Sequence, residues 1–223
     1  MNRSTATILV LGLTVGLTGF ADAGSVTGDI VLPPRPASSP TVSLYGKYCG
    51  HCSNTVPALG DYAMVCLIPR EPTSRRRNRP APIMDQRNTR FAPRVVPVQA
   101  GEQVQFLNSD PIFHNVFSLS PSKKFDLGRY RKGGSKFITF EKSGVVQVFC
   151  DIHAEMVGFV VVVDTPFFAT IDAAGDYQIN DVPEGKYDVL VWSEGMTHFQ
   201  SVGEVEVTPT GPTEFTARLL ERP

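Results

Sequence analysis

The chain has 223 residues, 42% of them hydrophobic and 19% charged, an ordinary globular composition able to bury a core. Its net charge of -1 offers no electrostatic footing for nucleic acid. The 19 glycines and 18 prolines punctuate short Val-rich runs, a pattern that argues against a helical bundle and for an all-β class.

The first segment is basic and then apolar. Arg3 precedes an apolar stretch over residues 6–20, and Ala21-Asp22-Ala23 follows as an A-x-A cleavage site, so residues 1–23 read as a secretory signal peptide. Gly12, Gly16 and Gly19 interrupt the stretch, which is too short for a membrane anchor. No other segment is apolar enough for long enough to span a bilayer. The mature protein is therefore expected to begin near Gly24, to carry no transmembrane segment, and to be periplasmic or otherwise exported, where thiols can oxidise.

Residues 24–32 alternate like a strand, and prolines between 33 and 40 break the pattern. Residues 41–45 and 62–68 read as two further strands. Between them lies Cys49-Gly-His51-Cys52, with the spacing of a thioredoxin-like redox motif but no helical setting, since Ser53, Asn54 and Pro57 follow at once. A structural disulfide of Cys66 with Cys49 or Cys52 is the simpler expectation. A soft-metal site from Cys49, His51, Cys52 and Cys66 stays open, because thiolates favour Cu(I) or Zn. Arg70, Arg75, Arg76, Arg77 and Arg79 crowd a proline-rich stretch that cannot be a central strand. Two readings of it stand side by side, a basic docking patch for an acidic redox partner and a solvated linker.

From residue 83 the strands follow closely, at 83–87, 94–98, 102–107, 115–118, 135–140, 145–150 and 158–163. Phe125 to Tyr130 and the turn at Lys132-Gly-Gly134 fill the longest connection. The last two strands flank Cys150-Asp-Ile-His153-Ala-Glu-Met156, a short loop that can turn a thiol, an imidazole and a thioether toward one point. A second imidazole, His114, lies upstream after a turn marked by Asn108 to Pro111. Two His nitrogens and a Cys thiolate in a plane, with a weak axial Met, are the needs of a blue-copper centre. Each of these residues alone has a plainer reading as core or turn.

Those two motifs, Cys150-x-x-His153-x-x-Met156 and His114-Asn-Val, resemble the cupredoxin family in its amicyanin- and plastocyanin-like branch, over about residues 85–164. The loop departs from that branch in carrying Ile152 and Ala154 where prolines are usual. The resemblance implies copper held by His114, Cys150, His153 and Met156 in a Greek-key sandwich. It also implies that Asn115 closes the site by turning its backbone N–H to the Cys150 sulfur, and that His153 is the ligand nearest the surface.

After Pro166 the text changes. Gly175-Asp-Tyr-Gln-Ile-Asn-Asp-Val-Pro183-Glu-Gly-Lys-Tyr-Asp-Val-Leu-Val-Trp192 resembles the carboxypeptidase regulatory-like family, a small transthyretin-like sandwich whose usual Gly-x-Val-x-Gly opening is found at Gly24-Ser-Val-Thr-Gly28. The expected architecture is all-β, a cupredoxin sandwich inserted in or followed by a second small β-sandwich. The corresponding layout is a discontinuous sandwich of residues 24–70 and 165–223, a basic Pro/Arg-rich loop at 71–84, and a cupredoxin domain at 85–164.

A centre with that ligand set has no open position for a substrate. Multicopper chemistry needs many histidines, whereas the chain has 4, and it contains neither a Gly-x-Ser-x-Gly elbow, nor a His-Glu-x-x-His pair, nor a phosphate loop. The sequence thus points to a non-enzymatic electron carrier working with a redox protein partner. Two alternatives stay open: a Cu(I) delivery protein, and an envelope binding or scaffold module in which copper is incidental.

Overall fold

The computed structural model describes residues 23–32, 63–209 and 211–219. Residues 1–22 and Cys49, His51 and Cys52 lie outside them. Among the described residues every regular element is a strand, as the all-β reading expects.

The described strands form four sheets that make two sandwiches. In the first, β3 (Ile83–Arg87), β4 (Arg90–Ala92), β6 (Gln103–Asn108) and β9 (Ser135–Thr139) form a 4-stranded sheet in the order β4-β3-β6-β9. It faces a 5-stranded sheet in the order β5-β11-β10-β7-β8, built from β5 (Val95–Gln99), β7 (Phe117–Ser120), β8 (Lys123–Asp126), β10 (Gly144–Phe149) and β11 (Val157–Val163). Met84, Phe106, Phe140, Val148 and Val160 fill the space between them. Strands β4 and β8 are absent from the sequence reading for a physical reason. One is three residues long, and the other, Lys-Lys-Phe-Asp, is a polar edge strand with no alternating apolar signal.

In the second sandwich, β2 (Ala63–Pro69) runs between β12 (Phe168–Thr170) and β14 (Gly185–Ser193), with β15 (Gln200–Val207) outside β14. The facing sheet is centred on β1 (Gly24–Val31). One edge of β1 pairs antiparallel with β13 (Asp176–Val182), and the other pairs parallel with β16 (Pro212–Glu214) and β17 (Ala217–Arg218). Gly28 is required here, because a Cβ on it would run into the Phe215 carbonyl where the chain passes between β16 and β17.

The two sandwiches are joined through β11. Its Val160 and Val162 point into the first core, while Val157, Phe159, Val161 and Val163 point into the second, so all of the strand is buried. A strand covered on both faces has no polar positions, which is why Val-Gly-Phe-Val-Val-Val-Val lacks alternation. Phe159 meets Trp192 with ring centroids 5.4 Å apart. Beside it Arg94 donates to both carboxylate oxygens of Glu194, at 2.9 and 2.6 Å. This paired geometry suits a poorly hydrated location.

The arginine-rich stretch lies along both sandwiches, and its donors are tied to the chain itself. Arg75 donates to the Asp181 carbonyl at 3.1 Å and Arg77 to the Phe168 carbonyl at 3.2 Å, both in the second sandwich. Arg76 donates to the Ala100 carbonyl, and Arg79 donates to the Pro97 carbonyl and to Glu102, all in the first. The Arg77 guanidinium also stacks 4.1 Å from the centre of the Phe168 ring.

Phe159→Ala should cost about 3–5 kcal/mol, the usual penalty for an emptied aromatic site. Because that ring belongs to the core shared by both sandwiches, urea unfolding followed by Trp192 fluorescence and by circular dichroism should show one coincident transition shifted to lower denaturant. Two separated transitions would contradict the shared core.

Candidate metal centre

Strand register builds the site. β10 and β11 pair antiparallel from Gly144↔Val162 to Phe149↔Val157, so the loop at 150–156 leaves and re-enters the sheet at one level. Phe149 also pairs with Phe117 on β7, and His114 bridges to Tyr130 just before β7 begins. Cys150 and His114 thereby come to the same end of the sandwich from segments far apart in sequence.

Three of the four sequence-predicted donors converge. The His114 and His153 Nδ1 atoms are 3.1 Å apart, and the Cys150 Sγ lies 3.8 Å from the first and 3.9 Å from the second. The three form a group whose donor atoms all lie within 4.8 Å of one another. An ion placed at ordinary first-row distances, about 2.05 Å from nitrogen and 2.3 Å from sulfur, would subtend angles of about 98°, 122° and 127° across this triangle. Their total of about 347° approaches the 360° of a flat arrangement, so the donors fit a trigonal metal without rearrangement. Met156 is buried at 1% exposure, in the same core cluster as Cys150, and its N–H donates to the His153 carbonyl at 3.0 Å. That bond fixes the turn between the two residues.

His114 is fully buried, Cys150 is 4% exposed, and His153 is half-buried. Phe113 and Ile152, the chain neighbours of two of these residues, are exposed. Asn115 is buried and secures the loop through its side chain. Its Oδ1 accepts the Asp151 N–H at 2.6 Å, its Nδ2 donates to Asp126 at 3.2 Å, and its carbonyl accepts from the buried Gln86 Nε2 at 2.9 Å. Arg129 adds an exposed tie to Asp151 at 3.1 Å.

Asp110, by sequence one residue of the turn at Asn108 to Pro111, also reaches the site. Its Oδ2 lies 2.8 Å from the His114 Nε2. Partial burial pulls this carboxyl upward, but the Thr89 N–H, the hydrogen bond with the His114 side chain and the Asn88 N–H together outweigh it and hold Asp110 below the usual carboxylate range. An acidic residue four positions before a candidate ligand was the available signal. Tyr130 is pushed upward, first by burial and then by Cys150 and Asp85, and its hydroxyl donates to the Phe106 carbonyl at 3.3 Å.

Cys66 has no disulfide partner among the described residues, and its thiol lies in the core of the second sandwich, where burial pushes it up to about 12. Cys49 and Cys52, its expected disulfide partners, fall outside the described residues. Trp192 and Tyr187 are packed in that same core, and the Trp192 indole N–H donates to the Met196 carbonyl at 3.1 Å.

No family model and no curated protein matches the chain. Among solved structures it is similar to a reduced variant of amicyanin, at 23% identity and a TM-score of 0.36, over 37% of this chain and 82% of that one. A purple cupredoxin from Nitrosopumilus maritimus aligns at 26% identity and a TM-score of 0.32, over 34% and 84%. A copper-containing nitrite reductase from Thermus scotoductus aligns at 21% identity and a TM-score of 0.38, over 44% of this chain but 25% of its own length.

If the triangle binds a metal, Zn(II) or Cu(II) at about a thousand times its dissociation constant should stabilise the folded chain by about 4 kcal/mol. His114→Ala should remove most of that increment, read as the metal-dependent rise in Tm. An equal rise in the variant would place the metal elsewhere.

Proposed function

We propose that the chain is an exported type 1 (blue) copper protein of the cupredoxin kind, carrying single electrons between redox protein partners. The observation that carries this reading is the near-trigonal triangle of two imidazole Nδ1 atoms and one thiol, with Met156 buried in the same core cluster as Cys150. Bound copper would supply a one-electron couple, since this ligand set lies between the geometries that Cu(I) and Cu(II) each prefer.

The chain's own residues suit that task. The buried Cys150, His114 and Met156 exclude water, and the Asn115 and Arg129 ties hold the loop that bears Cys150 and His153. A rigid donor set keeps nuclear rearrangement between oxidation states small. His153 is the least buried donor, and exposed Phe113 and Ile152 flank this end, which supports entry and exit of electrons there against an apolar partner surface.

We further propose that the protein is not an enzyme. Of the 4 histidines, His114 and His153 are taken by the centre, leaving His51 and His198, too few for a second copper site of the multicopper kind. Export rests on the signal-like pattern of residues 1–23. Among the described residues no helix is long and apolar enough to cross a membrane. The second sandwich is proposed to be of the carboxypeptidase regulatory-like kind, on the Gly175–Trp192 motif carried by β13 and β14.

Copper-loaded protein should be intensely coloured by thiolate-to-copper charge transfer and show a narrow copper hyperfine splitting in EPR. Cys150→Ser should abolish the colour while leaving the far-ultraviolet circular dichroism unchanged. A colourless Cu(II) form with tight Cu(I) binding would instead favour a Cu(I) delivery protein.

A further inference from the structure

The turn that joins β3 to β4 is strained. Asn88 and Thr89 have φ of 54° and 56°, in the left-handed region. Asparagine tolerates that conformation, but a β-branched threonine adopts it only when its surroundings enforce it. The enforcing group here is the Asp110 carboxylate. Its Oδ1 accepts the Asn88 N–H at 2.6 Å, and its Oδ2 accepts the Thr89 N–H at 2.9 Å.

The same Oδ2 meets the His114 Nε2 at 2.8 Å. Asp110 is itself held from behind. Its N–H donates to the Asn108 Oδ1 at 2.9 Å, and the Asn108 Nδ2 donates to the carbonyls of Ile112 and Tyr130, each at 2.9 Å. Tyr130 is the bridge partner of His114, so the network closes on the residue it orients. A carboxylate held by three hydrogen bonds in a buried position has no freedom to turn away.

We propose that Asp110 is the positioning residue of the metal centre, fixing His114 with its proton on Nε2 and its Nδ1 lone pair turned toward Cys150 and His153, and that the Asn88–Thr89 turn clamps Asp110 in that position. The inference rests on the metal-site reading above and extends it to a hairpin that contributes no ligand. Both Asp110 oxygens already accept from backbone N–H groups, which can only donate, so the geometry leaves the proton between Asp110 and His114 on the imidazole. The negative charge behind the ring makes Nδ1 a stronger donor and favours the more highly charged of two oxidation states of a bound ion.

The test compares the wild-type full chain with Asp110→Asn. The variant keeps an acceptor for the turn and loses the charge. It should bind Cu(II) about tenfold more weakly with Cu(I) affinity little changed, which corresponds to a reduction potential higher by about 59 mV. An unchanged potential would overturn the proposal.

A second measurement needs no variant to fold. Nitrogen-15 NMR of the wild-type full chain, as purified and with Zn(II), should show His114 protonated on Nε2 with slow exchange, whereas a proton on Nδ1 would overturn the role of Asp110. Absence of the blue charge-transfer band together with a protected Nε2 proton would sink the electron-carrier reading and leave the positioning role standing.

Discussion

The antiparallel pairing of β10 with β11 is the constraint on which the rest depends. At its closed end, the register Phe149↔Val157 brings Cys150 and Met156 to the same height and holds His153 between them. Along its length, β11 presents Val160 and Val162 to one core and Phe159, Val161 and Val163 to the other. A slip of one residue would exchange those two faces and move the donors at once, so the packing of both sandwiches and the His114–Cys150–His153 triangle share a single register. Gly158 shows how tight this is. A Cβ there would stand 3.1 Å from the Phe91 side chain across the sandwich.

The second sandwich therefore does more than sit beside the first. Its core includes the far face of the sheet that carries Cys150, and the Arg94–Glu194 pair and the arginine stretch tie the two halves at their edges. Each guanidinium contact is modest by itself where it is exposed. Shared apolar burial, at about 25 cal/mol per Å², contributes more to holding the two sandwiches together. The position of the donor loop is then tied to the packing of both sandwiches.

Around the donors the polar groups form two arms. Gln86, Asn115 and Asp126 hold the loop after Cys150 from one side, while Asp110, the Asn88–Thr89 turn and Asn108 hold His114 from the other. Gln86 and the turn belong to β3 and its hairpin, so one short strand reaches both arms. Each paired group in these arms would cost about 1–3 kcal/mol if left without its partner, and the Gln86 Oε1 is a buried atom that has none among the described residues.

The sequence by itself determined the all-β class, most strand positions, and the donor types in the 150–156 loop. Those signals are local: β-branched runs, Gly and Pro breaks, and a spacing of three between Cys150, His153 and Met156. It could not show β8, whose polar residues lack an apolar rhythm, nor the part played by Asp110, since an aspartate in a turn looks alike whether it caps a backbone or orients a ligand. Nor could alternation at residues 24–31 reveal that β1 lies between β13 and β16. Tertiary structure decided those matters, because strand pairing, the sharing of β11 by two cores, and the 2.8 Å contact behind His114 join residues far apart or differently turned, and a pattern along one chain carries no record of which surfaces meet.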